Sequence, residues 1–377
     1  MESPNLKKER AIRKTIWSFQ QLNGFGITRM RALLELVGSL ANLAEFHFLD
    51  QLKADSHWGA SWVQDFERVF GSGAFDVEEE RYFAKGISIV SLVDLNYPKL
   101  LAATYDAPII LYVRGTLVAE DEAALAIVGT RYPSAYGRNV ASRFAQELAA
   151  RGVTIVSGMA RGIDAEAHRG ALLGRGRTIA VLGSGIDVIY PKEHRELYEE
   201  ISSHGAVLSE FVLGIPPLAF NFPKRNRIIS GLAHGVLVVE ASVRSGSLIT
   251  ARQALDEGRD VYAIPGQIDS VNAGGSNQLI QEGAKLVTSP DEILSELVPK
   301  IRDVVQKPDE VAVHEDLPSG ASTEASLLIK RLKENPAGLD ELALELHTSN
   351  EHLCRLLREL ELAGKVKRGL GGLYAPV

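Results

Sequence analysis

Five short segments between residues 129 and 266 combine glycine with serine, arginine or proline: Gly129-Thr130-Arg131, residues 157–164, Gly183-Ser184-Gly185, Arg244-Ser245-Gly246-Ser247 and Pro265-Gly266. Glycine lets backbone N–H groups approach a ligand closely. Where such a segment opens a helix, its unpaired amides and partial positive charge favour an anion. One glycine-rich turn is ordinary loop geometry. Five of them, with Arg131, Arg161 and Arg244 included, point to an anion site, and phosphate is the anion they suit.

A second segment has a different composition: Phe220-Asn221-Phe222-Pro223-Lys224-Arg225-Asn226-Arg227-Ile228-Ile229-Ser230-Gly231. Three cations and two aromatics fall within its first eight residues. Pro223 suits the start of a helix. Lys224, Arg225 and Arg227 can neutralise phosphates while Phe220 or Phe222 stacks on a base, which is how single strands are held. The same residues also suit core aromatics and a solvated cationic helix face, and composition does not separate the two readings.

Other chemistries are poorly supplied. There is no GxxxxGK[ST] loop, and Gly183-Ser184-Gly185-Ile186-Asp187-Val188 carries valine where a dinucleotide fingerprint has its third glycine. No NAD site, and no cofactor, is expected. Asp164 and His168, four residues apart, share a helix face and could exchange protons or simply cap the helix. No GxSxG nucleophile occurs. Glu240 ends an apolar strand and suits a role as acceptor for amides of the loop that follows it. No catalytic residue is assigned.

The elements that must position these residues follow from periodicity. Apolar strands at 125–128, 153–157, 178–182, 206–209, 236–240, 261–264 and 285–287 alternate with helices at 136–151, 164–173, 193–202, 224–233, 247–257 and 276–282. Strands at 87–91 and 109–114 precede them. This is the pattern of an α/β, Rossmann-like, doubly wound and mainly parallel sheet over residues 81–298. Its ligands bind beyond the carboxyl ends of the strands, where the glycine-rich segments fall. Residues 1–80 read as a helical domain, SAM-like or helix-hairpin-helix-like, around the turn Leu22-Asn23-Gly24-Phe25-Gly26-Ile27-Thr28; a plain packed helical turn fits as well. Residues 299–324 read as a linker. Residues 325–377 read as a winged helix, with helices at 325–334, 339–346 and 349–363 and a wing over 366–374. The wing carries Lys365, Lys367 and Arg368, but Glu351, Glu359 and Glu361 on the recognition helix repel phosphate and favour a protein contact.

The chain has 377 residues, 45% hydrophobic and 24% charged, with a net charge of −7 that a local basic groove can override. Its one cysteine, Cys354, excludes an intrachain disulfide and suits the cytoplasm. No signal peptide and no membrane-spanning run of about 18 apolar residues is read.

In order, Tyr97-Pro98-Lys99-Leu100-Leu101, Ile127-Val128-Gly129-Thr130-Arg131, residues 157–168, Tyr190-Pro191, residues 222–232 and Val239-Glu240-Ala241 with Ser245-Gly246-Ser247-Leu248 resemble the DprA (Smf) family of DNA-processing proteins. The resemblance covers nearly the whole chain and is most specific from 97 to 283. It implies single-stranded DNA binding and protection through a basic pocket on the Rossmann-like domain. It further implies loading of RecA during natural transformation, a homodimer through that domain, and no enzymatic turnover. Carried onto this sequence, Arg131, Lys224, Arg225 and Arg227 are the expected DNA contacts, with Gly129 beside Arg131 and with Arg161, Ser245 and Ser247 as secondary candidates. His194 departs from the asparagine common after the Tyr-Pro turn. A competing expectation is a nucleotide-processing enzyme similar to the phosphoribohydrolases, but the turn at 245–251 has no following glutamate until Glu257. A duplex-reading regulator built on the winged helix is the third and weakest.

Overall fold

The computed structural model describes residues 4–305 apart from 39, 45–47, 56–57 and 93, and beyond them residues 328, 331–332, 337, 342, 353, 357, 360, 366–368 and 374–376. The chain forms two compact units, Met1–Lys307 and Pro308–Val377.

The first unit is organised by nine strands: β1 (Ile87–Ser91), β2 (Ile110–Gly115), β3 (Ala124–Val128), β4 (Thr154–Ser157), β5 (Thr178–Leu182), β6 (Ala206–Ser209), β7 (Gly235–Val238), β8 (Asp260–Ala263) and β9 (Lys285–Leu286). Their order in the sheet is β1-β2-β6-β5-β4-β3-β7-β8-β9. From β6 to β9 neighbouring strands are parallel, whereas β1–β2 and β2–β6 are antiparallel. The chain therefore winds from β3 outward through β4, β5 and β6, then returns to the other side of β3 with β7. The sheet is the expected doubly wound one, and its winding direction switches between β3 and β7.

Strand β3, Ala-Leu-Ala-Ile-Val, is buried along its whole length, as a strand covered on both faces must be. Alternate side chains reach opposite layers. Leu125 and Ile127 pack with Phe144 and Leu148 of α7 (Ala135–Ala149) and with Ile163 and Ala167 of α8 (Ile163–Leu173). Ala124, Ala126 and Val128 pack with Ile228 and Ile229 of α10 (Asn221–Gly231) and Leu248 of α11 (Ser247–Asp256). Two shorter helices, α6 (Lys99–Ala102) and α12 (Gly274–Gln281), and α9 (Arg195–His204) complete the layers.

Among the described residues, five α-helices precede the sheet: α1 (Pro4–Gln20), α2 (Ile27–Val37), α3 (Phe48–Ala54), α4 (Ala60–Gly71) and α5 (Ala74–Phe83). Phe19 is their centre, with ring centroids 4.1 Å from Phe66, 5.2 Å from Phe25 and 5.3 Å from Trp62. Phe25 lies within the two-glycine turn, so the turn folds back on the aromatic cluster. This favours the plain packed turn over a phosphate-facing hairpin. Tyr82 of α5 stacks on Tyr112 of β2 at 4.5 Å and joins the helices to the sheet.

One boundary moves. Helix α13 spans Pro290–Val305 and passes through Pro299, so the first part of the expected linker is helical. Ile293, Leu297 and Ile301 recur every four residues and are buried against the α7 layer. Pro299 and Ser295, whose backbone bond the proline removes, both lie on the exposed face.

In the second unit, β10 (Val366–Arg368) pairs antiparallel with β11 (Tyr374–Pro376), which accounts for the expected wing. Leu328, Leu332, Leu342, Leu353 and Leu357 form a small core with Val366 and Tyr374. The remainder of the expected helices, with Glu351, Glu359, Glu361 and Lys365, lies outside the described residues. Among the described residues, no helix is long and apolar enough to cross a membrane.

Candidate nucleic-acid interface

A cleft of about 520 Å³ opens at the carboxyl ends of β3 and β7, where the sheet switches direction. Gly129, Arg131 and Tyr132 of the β3 loop form one wall. Phe222, Pro223 and Asn226 of α10 form another, and Ser242, Ser245 and Gly246 before α11, with Ser247 at its start, close the third side.

Backbone contacts bring these loops together. A Cβ on Gly129 would lie 2.6 Å from Ile163 Cγ1 and 2.8 Å from the Glu240 carbonyl, so only glycine fits between β7 and α8. The Thr130 N–H donates to the Glu240 carbonyl at 2.7 Å, and the Thr130 carbonyl accepts from Ile163 N at 3.2 Å. The Glu240 side chain accepts from Ser134 N at 2.9 Å and Ser134 Oγ at 2.6 Å, while Ser134 Oγ caps α7 by accepting from Gly137 N. Glu240 is thus a loop acceptor, but it serves the β3 loop across the sheet rather than the loop after its own strand that its place at a strand end suggested.

The cations of the sequence motifs have different environments. Arg131 is exposed, and its guanidinium lies 5.2 Å from the Phe222 ring centroid. Lys224 is exposed, with Nζ 5.8 Å from the Phe220 ring, which is itself 61% exposed. Among the described residues neither cation has a carboxylate within 4.0 Å. Arg227 is committed to Glu210, at 2.5 and 2.7 Å, and to Asp106 at 3.0 Å. Arg161 pairs with Glu193 at 2.5 Å outside the cleft wall.

Arg225 is only 4% exposed. Its guanidinium donates to the Gly158 carbonyl at 2.7 Å and to the Val181 carbonyl. The helix period explains the difference: Asn221, Arg225, Ile228 and Ile229 occupy the inward face of α10, and Lys224 falls outside it. Arg225 therefore enters as a positioning group at the floor of the cleft, holding the ends of β4 and β5, rather than as a free cation. Ser245 Oγ and Ser247 Oγ share a hydrogen bond at 2.7 Å at the start of α11.

Beneath the 157–164 loop the titratable side chains are buried. Burial pushes the Asp164 carboxyl above the usual carboxylate range, against the pull of Arg225. Burial also pushes the Arg225 guanidinium down to about 10, partly offset by Asp164, so it keeps its charge at neutral pH. His168 is fully buried and held down to about 3 by desolvation. Thr178 Oγ1 donates to the Ile155 carbonyl at 2.7 Å, so it accepts from His168 Nδ1 at 2.6 Å and fixes a neutral ring. Asp164 instead accepts from Ala160 N at 3.4 Å. The two residues that share a helix face do not form a solvent-facing acid–base pair.

Sequence reasoning did not find the clamp of Phe222 on Arg131, because the two lie far apart in the chain. Their common motif context was the available signal. Asn226, Ser242 and Thr250, which also line the cleft, lie in or beside the motifs but had no distinguishing chemistry.

Comparison with known proteins places this geometry in a family. A family model described as DNA recombination-mediator protein A matches residues 88–298, and one described as the DprA winged helix domain matches residues 312–372. The chain is 45% identical over 277 residues to Protein Smf of Escherichia coli, covering 73% of this chain and 74% of that protein. It is 48% identical over 206 residues to DNA processing protein DprA of Streptococcus pneumoniae, covering 55% and 73%. The crystal structure of the Streptococcus pneumoniae protein is similar, with a TM-score of 0.64 and 38% identity over 75% of this chain and 97% of that one. A structure of the Helicobacter pylori protein, described for its single-stranded DNA binding mode, aligns with a TM-score of 0.52 and 30% identity over 57% and 96%. By its sheet, its winged helix and these matches, the chain belongs to the DprA/Smf family of DNA-processing, recombination-mediator proteins.

Proposed function

We propose that this protein binds single-stranded DNA at the β3–β7 cleft, protects it, and loads RecA onto it without catalytic turnover. The observation that carries the reading is the pair of exposed cations, Arg131 and Lys224, with no carboxylate at ion-pair distance among the described residues, each set beside an aromatic ring at the sheet's switch point. Phosphates meet the cations and the loop amides. Phe220 supplies a face on which a base stacks whatever its identity, so sequence preference is weak. Relatives described as recombination mediators and a relative described for single-strand binding support the assignment. Arg225, Asp164 and Glu240 hold the loops so that the site exists before DNA arrives, which lowers the ordering cost of binding. We further propose a homodimer through the α/β domain, whose sheet ends in the two-residue edge strand β9.

The test is a titration of fluorescent poly-dT and a matched duplex at low and physiological salt. Tighter, salt-sensitive binding to the single strand is the expected result, and equal or absent binding to both overturns the proposal. RecA loading is read from the rate of RecA filament growth on the same strand, and the dimer from mass in solution.

A further inference from the structure

A second cleft, of about 700 Å³, lies on the far side of the β3 loop, between the start of α7 and residues 265–273. Its volume is in the range of small-molecule sites. Its electrostatics are the reverse of its neighbour's. No cation lines it, and its one ionisable carboxylate is Glu240, buried in the wall and bonded through both oxygens to Ser134. A phosphate would find no counter-charge there and would be repelled by the carboxylate. A flat neutral group would not. Each Glu240 oxygen has accepted one hydrogen bond and can accept another, and Gln267 offers both a donor and an acceptor. These are complements of the N–H and C=O edges of a nucleobase.

Tyr136, in the cleft wall, is 53% exposed. The 265–273 loop opposite carries Ile268 and Val271, 97% and 79% exposed, with an exposed carboxylate, Asp269, between them. Asn272 Nδ2 donates to the Tyr132 carbonyl at 3.0 Å, tying the 265–273 loop to the ridge that carries Arg131. The two clefts are thus adjacent along one sheet edge, one lined by cations and one by none, separated by a single loop.

We infer that the second cleft receives a nucleobase from the strand whose phosphates lie along Arg131 and Lys224, with Tyr136 as its stacking face. The inference rests on the single-strand reading above. Continuity with the cationic cleft selects the occupant, because a strand leaving Arg131 toward α7 has the Tyr132–Tyr136 surface directly in its path. A base turned inward there leaves its own phosphate outside, near Arg138, which is exposed on α7.

The experiment compares oligo-dT with an oligonucleotide of equal length made of abasic residues, using the full chain and the variants Tyr136→Ala, Ala135→Trp and Arg131→Glu. Ala135 is exposed at the cleft wall, so tryptophan there fills the space without entering the core. Loss of one stacked base weakens dT binding about tenfold in Tyr136→Ala and Ala135→Trp, with abasic binding retained. Arg131→Glu weakens both ligands. Unchanged dT binding in both cleft variants overturns the base cleft alone, as does an equal loss for both ligands, which would mark a backbone contact. If the unaltered protein binds neither oligonucleotide, the single-strand reading falls and this inference falls with it.

Discussion

The dependence of binding on salt counts which cations meet phosphates, and the structure assigns that count unequally. Each phosphate neutralised on a single strand contributes about −0.7 to the slope of log K against log salt. Arg131 and Lys224 have no carboxylate partner among the described residues, so together they should account for a slope of about −1.4. Between 50 and 200 mM salt that is a loss of about sevenfold, and about 2.6-fold for one cation alone. Arg227 is already neutralised by Glu210 and Asp106 and should add nothing. Replacing Arg131 or Lys224 by alanine should therefore flatten the slope by about 0.7 each, whereas Arg227→Ala should leave it unchanged even if overall affinity shifts. Fluorescence anisotropy with labelled oligo-dT over a salt series gives the slopes directly. A flattened slope in Arg227→Ala, with Arg131→Ala like the unaltered protein, would refute the reasoning from ion pairing.

Other consequences are more local. Arg225→Met leaves the buried Gly158 and Val181 carbonyls without their donor, so unfolding by urea should show a loss of about 2–6 kcal/mol; a loss below about 1 kcal/mol would mean these bonds are not structural. His168 is neutral in the fold with its ionisation held down to about 3 against 6.5 when free, so the unfolded chain binds the extra proton. Its contribution is complete above 6.5 and lost as the pH falls toward 3, and from pH 7 to 5 it amounts to about 2 kcal/mol. His168→Asn, which can still donate to Thr178, should lack that part of the acid sensitivity; parallel losses in the two proteins would place the sensitivity elsewhere. Incubation with AMP or GMP should release no base, and clear turnover would promote the phosphoribohydrolase reading.

The alternation of short apolar runs with amphipathic segments was enough to determine the parallel sheet, because strands covered on both faces must be apolar throughout and their crossovers must be helices. The same pattern put the glycine-rich loops at the carboxyl ends of the strands. It also marked 366–374 as a wing. The helix through Pro299 was not legible, since proline at an exposed position breaks the reading of a segment without breaking the helix that Ile293, Leu297 and Ile301 anchor. Nor was the division of labour among Lys224, Arg225 and Arg227. Composition treats three neighbouring cations alike, but a helix turns them about 100° apart per residue, and only the surrounding layers decide which face is inward. The fold put Arg225 under the loops, matched Arg227 with carboxylates from two other segments, and left Lys224 exposed with no ion pair among the described residues. The partnership of Arg131 with Phe222 and the second cleft beside Glu240 likewise exist only where distant strands become neighbours. Residue type and spacing thus determined which groups were available, and packing decided which of them face solvent with charge to spare.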